Sequence, residues 1–140
     1  MAFLFDTNAI SEVFRSRPNR GFCDWLEGLP REEQFTSIVV IAELYGAAFR
    51  APNQDRWQER IEQGVLNAMT VLAFDLPCAR EYGRLHAALT RRGTPIGTAD
   101  VQIAATALVH GLTVVTANRR HYERIPGLVL KIFTPGAAEG

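Results

Sequence analysis

The sequence predicts a single α/β domain in which helices cover both faces of a parallel β-sheet. Short apolar runs alternate with helical patterns along the chain, which is the arrangement typical of such sheets. Several of these runs end abruptly at polar residues, as buried parallel strands do. The length of 140 residues fits one domain, and the hydrophobic share of 47% is enough for a buried core.

Five apolar runs predict the strands of this sheet. The first is a continuous apolar stretch that stops at Asp6. The third is stopped by Asp75, and the turn Pro126–Gly127 precedes the last. In chain order, the predicted strands cover residues 2–5, 35–40, 71–74, 112–116 and 128–133.

Helical spacing of apolar residues accounts for most of the chain between these strands. Pro18–Gly21 and Gly93–Gly97 break the pattern, and Thr98 is a candidate N-cap for a helix that ends at Gly111. In chain order, the predicted helices lie near residues 10–14, 22–29, 41–48, 54–69, 79–91 and 98–111, with a short helical turn at 118–122.

The long segment 54–69 has an amphipathic pattern. Its apolar positions are predicted to face the core; they are Trp57, Ile61, Val65 and Leu66. Arg56 and Arg60 are expected to pair with acids of the same helix on an ordinary solvated face. His86, on an apparently apolar side of the following helix, is expected to be structural.

Composition excludes several classes of protein. Fifteen Lys and Arg balance fifteen Asp and Glu, so bulk positive charge does not hold this protein on nucleic acid. Cys23 and Cys78 form no Cys-x-x-Cys motif, and two free thiols indicate a reducing cytoplasm. The N-terminus lacks the basic region of a signal peptide, and no apolar run is long enough to span a membrane.

Acidic and amide side chains follow the predicted strands. Asp6 comes directly after the first strand, Glu43 is expected in the first turn of the helix after the second, and Asp100 lies in the first turn of the helix before the fourth. Asn118 directly follows the fourth strand. In parallel sheets, ligands bind at the edge formed by the carboxyl ends of the strands. A group of oxygen donors at this edge is suited to bind Mg²⁺ or Mn²⁺. Taken singly, each acid also fits a capping or helix-start role.

Arginines accompany these acids. Arg119, Arg120 and Arg124 follow the fourth strand, near the predicted acidic edge. Phosphate contact is the functional interpretation of Arg119 and Arg120, and a solvated surface is the alternative. A second group, Arg15, Arg17 and Arg20, follows the first strand.

Four short stretches resemble the PIN-domain endoribonucleases, and within them the VapC-type toxins of type II toxin–antitoxin systems. Their order and spacing carry the likeness, which runs from about residue 3 to residue 134. The stretches are Phe5-Asp6-Thr7-Asn8, Ala42-Glu43-Leu44 with Gly46, Gly97-Thr98-Ala99-Asp100 with Ile103-Ala104-Ala105, and Val115-Thr116-Ala117-Asn118 with His121-Tyr122.

The resemblance implies a three-layer α/β/α fold with a five-stranded parallel sheet, a PIN domain over residues 1–134 and a short tail at 135–140. It implies an acidic site that binds Mg²⁺ or Mn²⁺ and cleaves single-stranded RNA. Asp6, Glu43 and Asp100 match the family's principal acids. Thr7 and Asn8 are expected to support Asp6, and Thr98 is expected to support Asp100; Thr116 is a further supporting residue.

Asn118 stands where many family members carry a fourth Asp, so the resemblance implies a weaker second metal position. It also implies partners: a cognate antitoxin protein that blocks the acidic groove, and a homodimer that forms a heterotetramer or larger assembly with that antitoxin.

Two other functions stay open on the sequence. A receiver-like phosphoacceptor domain would use Asp6, Asp75, Thr116 and Lys131, although Asp6 lacks the second acid that such domains place beside it. The other is a PIN-fold binding module without catalytic activity. It stays open because Asn118 stands where many family members carry an Asp.

Overall fold

The computed structural model describes residues 1–137 and contains a five-stranded parallel sheet. The strands are β1 (Phe3–Phe5), β2 (Gln34–Ser37), β3 (Thr70–Leu72), β4 (Thr113–Thr116) and β5 (Leu130–Ile132). Their order across the sheet is β3-β2-β1-β4-β5, and every neighbouring pair is parallel. The prediction of a five-stranded parallel sheet is confirmed.

Helices cover both faces of this sheet. Consecutive residues of a strand point to opposite faces, and every residue of β1 and β4 is buried. The three-layer α/β/α architecture is therefore confirmed. The α-helices are α1 (Thr7–Glu12), α2 (Arg20–Glu27), α3 (Ile38–Arg50), α4 (Gln54–Glu59), α5 (Leu66–Ala68), α6 (Leu76–Arg91), α7 (Thr98–His110) and α8 (Arg119–Tyr122).

The strand order places the reversal of topology between β1 and β4. From β1 the chain moves through β2 to β3 on one side, and from β4 it moves to β5 on the other. Open α/β sheets form a crevice at the carboxyl ends of the strands at this point. Asp6 follows β1 there, and Asn118 lies two residues beyond β4.

The second strand is shorter than predicted, and the position of Glu43 changes with it. The run Ile38-Val39-Val40 has strand-like composition, but the Ser37 hydroxyl accepts hydrogen bonds from the amides of Val39 (3.0 Å) and Val40 (3.3 Å). This N-cap starts α3 at Ile38. Glu43 is the sixth residue of α3, so its predicted place in the first turn was wrong.

Segment 54–69 is helical, but not uniformly α-helical. A π-helix, Arg60–Val65, separates α4 from α5. Ile61 and Val65 are buried as predicted, whereas Leu66 is 37% exposed because it directly follows Val65 and so lies about 100° from it around the helix axis. The predicted inward position of Leu66 was wrong.

Three other local predictions need correction. Gly97, not Thr98, is the N-cap of α7; Thr98 is its first, exposed residue and makes no capping hydrogen bond. His86 is exposed and stacks on Tyr82. Asp75 caps α6 by accepting a hydrogen bond from the amide of Cys78 (3.3 Å), so that helix begins at Leu76, earlier than predicted. Gly111 ends α7 in the left-handed conformation (φ 66°), as predicted.

The segment after β5 is tied to the first helix through Gly136. The buried Glu12 carboxylate accepts hydrogen bonds from the amides of Asn19 (2.7 Å) and Gly136 (2.8 Å) and forms an ion pair with Arg15 (3.2 Å). The predicted tail at 135–140 is described as far as residue 137; its last three residues lie outside the described part. Within residues 1–137, every helix is too short or too polar to cross a bilayer.

Candidate active site

Asp6 is the most buried acid of the crevice. It follows β1 and caps α1, where its Oδ1 accepts a hydrogen bond from the amide of Ala9 (2.8 Å). Its side chain is also hydrogen-bonded to the side chain of Thr116, at the end of β4. The capping role considered from the sequence is therefore real, and it holds the carboxylate at the edge of the sheet.

Burial raises the pKa of Asp6 to about 6. The hydrogen bonds from Thr116 and Ala9 lower the pKa, and the charges of Asp100 and Glu43 raise it. Two further carboxylates therefore act on Asp6 at short range, as expected for acids that share one site.

Asp100, in the first turn of α7, is held by two side chains of α8. Its Oδ2 lies 2.6 Å from Nδ1 of His121, and its Oδ1 accepts a hydrogen bond from the Tyr122 hydroxyl (3.2 Å). Tyr122 is fully buried, and burial, followed by the charge of Asp6, raises the pKa of its hydroxyl strongly. The two contacts fix Asp100 against the turn that follows β4.

Glu43 reaches the crevice from α3. Its Oε1 accepts a hydrogen bond from the Thr7 hydroxyl (2.6 Å). Thr7 thus contacts Glu43, whereas the resemblance implied support for Asp6. The residue that contacts Asp6 is Thr116, whose Oγ also accepts a hydrogen bond from the amide of Asn118 (2.9 Å).

These residues surround one pocket of about 240 Å³. Six of the predicted site residues are brought together there: the three acids, Asn118, Thr7 and Asn8. The lining is Asp6, Thr7, Asn8, Glu43, Asp100, Ile103, Asn118, His121 and Tyr122. Within residues 1–137, no three His, Cys, Asp or Glu side chains form a ready-made metal-binding group. Asp100 and Glu43 are instead engaged by their protein partners.

Four predicted site residues lie outside the pocket lining, and one of them is Thr116, which is buried at the end of β4. Thr98 is exposed at the start of α7, and Arg119 and Arg120 are exposed on α8, directly after Asn118. Neither His121 nor Tyr122 was assigned a role at the site from the sequence. The spacing of these two residues from Asn118 could have identified them. In a helix that begins after Asn118, the third and fourth residues return to the side of the helix that faces the crevice.

The receiver-like interpretation does not fit this geometry. Asp75 caps α6 and is exposed, and the Lys131 ammonium lies 4.4 Å from the centre of the Trp25 ring. Neither residue lines the pocket that contains Asp6. The groups that a phosphoacceptor site needs are therefore apart, while the acids that it leaves unused are together.

Comparison with known proteins agrees with this site. Residues 3–128 match the PIN domain family. The chain is 38% identical over 125 residues to VapC ribonuclease Y4jK of Sinorhizobium fredii, covering 86% of this chain and 89% of that protein. It is 32% identical over 129 residues to the tRNA(fMet)-specific endonuclease VapC of Salmonella typhimurium, covering 91% and 95%.

A solved structure shares the fold. VapBC2 from Rickettsia felis, bound to a DNA fragment from their promoter, superposes with a TM-score of 0.87 at 27% identity, covering 95% of this chain and 99% of that one. The acids gathered at the β1–β4 crevice occur in a chain whose sequence and fold both match. The chain therefore belongs to the PIN-domain family and, within it, to the VapC-type ribonuclease toxins.

Proposed function

We propose that this protein is a divalent-metal-dependent endoribonuclease that hydrolyses phosphodiester bonds of single-stranded RNA as the toxin of a toxin–antitoxin pair. One observation carries the proposal: three carboxylates and the Asn118 amide, from four separate segments, line the same pocket of about 240 Å³. The relatives named as ribonuclease and endonuclease support the same chemistry.

The donor set fits Mg²⁺ or Mn²⁺. All four side chains offer hard oxygen atoms, the type that these ions prefer. Burial raises the pKa of Asp6, and the charges of Asp100 and Glu43 raise it further, so a cation in the pocket would favour the ionised carboxylate. Asp6, Glu43 and Asp100 would hold the ion. Asn118 would add an oxygen without charge, and this favours one tightly held ion over a symmetric pair.

A bound divalent ion would lower the pKa of water and stabilise charge on the phosphodiester. The chain supplies the positioning. Thr116 and the amide of Ala9 fix Asp6, while His121 and Tyr122 hold Asp100. Glu43, the exposed acid, is placed to take a proton from the attacking water and pass it to solvent.

Roles for the surrounding residues follow from their places. Thr7 orients Glu43, and Asn8 lines the pocket beside it. Thr98 precedes Asp100 by two residues and acts through the start of α7. Arg119 and Arg120, exposed on α8, would contact RNA phosphates as the strand enters.

The direct test is cleavage of single-stranded RNA by the purified protein with Mg²⁺ or Mn²⁺. Asp6→Asn and Asp100→Asn should each reduce cleavage by about 100-fold or more, since each removes a charged ligand. Asp75→Asn is the matched control, because Asp75 also caps a helix but lies outside the pocket. Unimpaired cleavage by Asp6→Asn and Asp100→Asn would contradict the proposed site.

The toxin role has a separate test. The relatives are named as VapC proteins, and the Rickettsia structure contains VapBC2. We therefore expect a homodimer that binds a separately encoded antitoxin in a heterotetramer or larger complex. Expression of the chain alone should arrest growth, and co-expression with the adjacent reading frame should relieve the arrest. RNA binding without cleavage would instead indicate a silent binding module.

A further inference from the structure

A second cleft, which we call the arginine cleft, lies between the end of α1 and α4. Its volume is about 930 Å³, and three arginines line it: Arg15, Arg56 and Arg60. The remaining lining residues are aromatic, polar or apolar, and none is Asp or Glu. In a chain with equal numbers of acids and bases, this cleft is a local concentration of positive charge.

The Arg60 guanidinium is held by two aromatic rings. Its central carbon lies 4.6 Å from the centre of the Trp57 ring and 5.7 Å from that of Phe14. Arg60 follows Trp57 by three residues, which places the two side chains on the same face of the helix. A stacked guanidinium keeps its edge N–H groups free to bind an anion and loses little rotamer freedom on binding.

The three arginines of the cleft differ in whether an acid neutralises them. Arg15 is partly neutralised by Glu12 at 3.2 Å. Within residues 1–137, Arg56 and Arg60 form no ion pair. The expectation that acids of their own helix would neutralise them was therefore wrong. Arg56 and Arg60 are the cations that a ligand would meet.

The arginine cleft and the acidic pocket share helix α1. Asn8 lines the acidic pocket and Ser11 lines the cleft. These two exposed residues are one helical turn apart, about 5 Å along the axis. A polyanion that enters the acidic pocket can therefore continue directly into the cleft.

Resting on the proposed function, we propose that the arginine cleft binds the phosphate backbone of single-stranded RNA beyond the cleaved bond. Arg56 and Arg60 are positioning residues, and Trp57 holds Arg60 in place. Two cations without a carboxylate partner fit an RNA phosphate, because guanidinium groups match phosphate geometry. An acidic protein segment is the competing occupant, and the experiment separates the two.

The experiment measures binding of a labelled single-stranded RNA, long enough to span both sites, by fluorescence anisotropy in EDTA. Arg56→Ala/Arg60→Ala should weaken binding by about tenfold or more and reduce the salt slope of log K by about 0.7 per arginine removed. Arg80→Ala is the matched control. Arg80 is exposed and lies in the first half of α6. The start of α6 is close to His110, at the end of α7, whereas Asp100 is at the start of α7. Arg80 is therefore far from the acidic pocket.

Cleavage then distinguishes positioning from catalysis. The double variant should cleave a trinucleotide, which is too short to reach the cleft, at the rate of the unaltered protein. On the long RNA its KM should rise about tenfold while kcat stays within a factor of about two. Arg56→Glu, a charge reversal at an exposed position, should weaken RNA binding without affecting the packing of Arg60.

Binding equal to that of Arg80→Ala in both cleft variants would overturn the proposal. So would unchanged RNA affinity with loss of antitoxin co-purification, because the occupant would then be a protein. Because binding is measured without a divalent ion, the arginine cleft is tested even if no RNA is cleaved. Absent cleavage by the unaltered protein would count against the proposed nuclease, not against the cleft.

Discussion

The Nδ1 atom of His121 lies 2.6 Å from Oδ2 of Asp100, so an acid proposed to bind the metal ion already has a partner on α8. The Tyr122 hydroxyl occupies the other oxygen of the same carboxylate. Metal binding at Asp100 would therefore exchange one set of contacts for another. The contact with His121 is half-exposed and the easier of the two to break.

Removing His121 should make Asp100 more available. We expect His121→Ala to raise Mn²⁺ affinity by up to about fivefold and to lower the free energy of unfolding by less than about 1 kcal/mol. Calorimetric titration with Mn²⁺ measures the first and urea unfolding the second. His86→Ala is the control, since His86 is exposed and remote from the pocket. A tenfold loss of Mn²⁺ affinity would show instead that His121 helps to hold the ion.

The raised pKa of Asp6 predicts how stability depends on pH. An acid whose pKa is about 6 in the folded protein and 3.8 ordinarily binds more protons when folded. In EDTA, the stability of the folded state should therefore fall as pH rises from about 4 to about 6, by at most about 3 kcal/mol from this group. Urea unfolding across this range measures the change.

Asp6→Asn isolates the contribution of Asp6. The variant should lose that part of the pH dependence and be more stable than the unaltered protein at pH 7 in EDTA, because it buries no charge. Asp75→Asn, at an exposed cap, should keep the pH profile between 4 and 6. An identical profile for Asp6→Asn and the unaltered protein would rule out Asp6 as its source.

Ser37 should matter for stability more than its position at the end of a strand indicates. Ser37→Ala removes the hydroxyl that accepts from the amides of Val39 and Val40, and we expect a loss of about 1 kcal/mol in the free energy of unfolding. Thr98→Ala is the control; it alters the start of α7, where no side chain caps the helix. Equal losses in the two variants would argue against the cap.

The Glu12 contacts predict an unusual sensitivity at Gly136. A Cβ at this position would lie 1.9 Å from the carbonyl oxygen of Arg17, so Gly136→Ala should undock the tail. We expect a loss of about 1–2 kcal/mol and faster proteolysis of the C-terminal segment. Gly83→Ala, in open space within α6, should instead be neutral or stabilising. A protease-resistant tail in Gly136→Ala would contradict this account.

The sheet and its acids were predictable because both follow from short-range signals. Apolar runs that end at Asp6 and near Asn118 mark strand ends, and parallel strands bring those ends to one edge. The start of α3 was mispredicted because β-branched residues favoured a strand, while the deciding signal was the Ser37 hydroxyl.

The contacts made by side chains from distant segments were not predictable. No pattern in the sequence indicates that His121 contacts Asp100. The same is true of the contact between Arg60 and Phe14, which is 46 residues earlier in the chain. Helical spacing predicted neighbours within segment 54–69, but it did not predict that Phe14, from the segment after α1, would contact Arg60. Such choices depend on tertiary packing, which outweighs local preference.

The bond between Glu12 and the amide of Gly136 joins residues 124 positions apart. During synthesis from the N-terminus, the β1–α1 unit is made 124 residues before Gly136, so its buried acid lacks one of its partners until that later segment is made. A chain cut short before Gly136 leaves that carboxylate incompletely satisfied. The first helix of the site is thus fully secured only after the last strand of the sheet, β5 (Leu130–Ile132), has been synthesised, because Gly136 follows that strand.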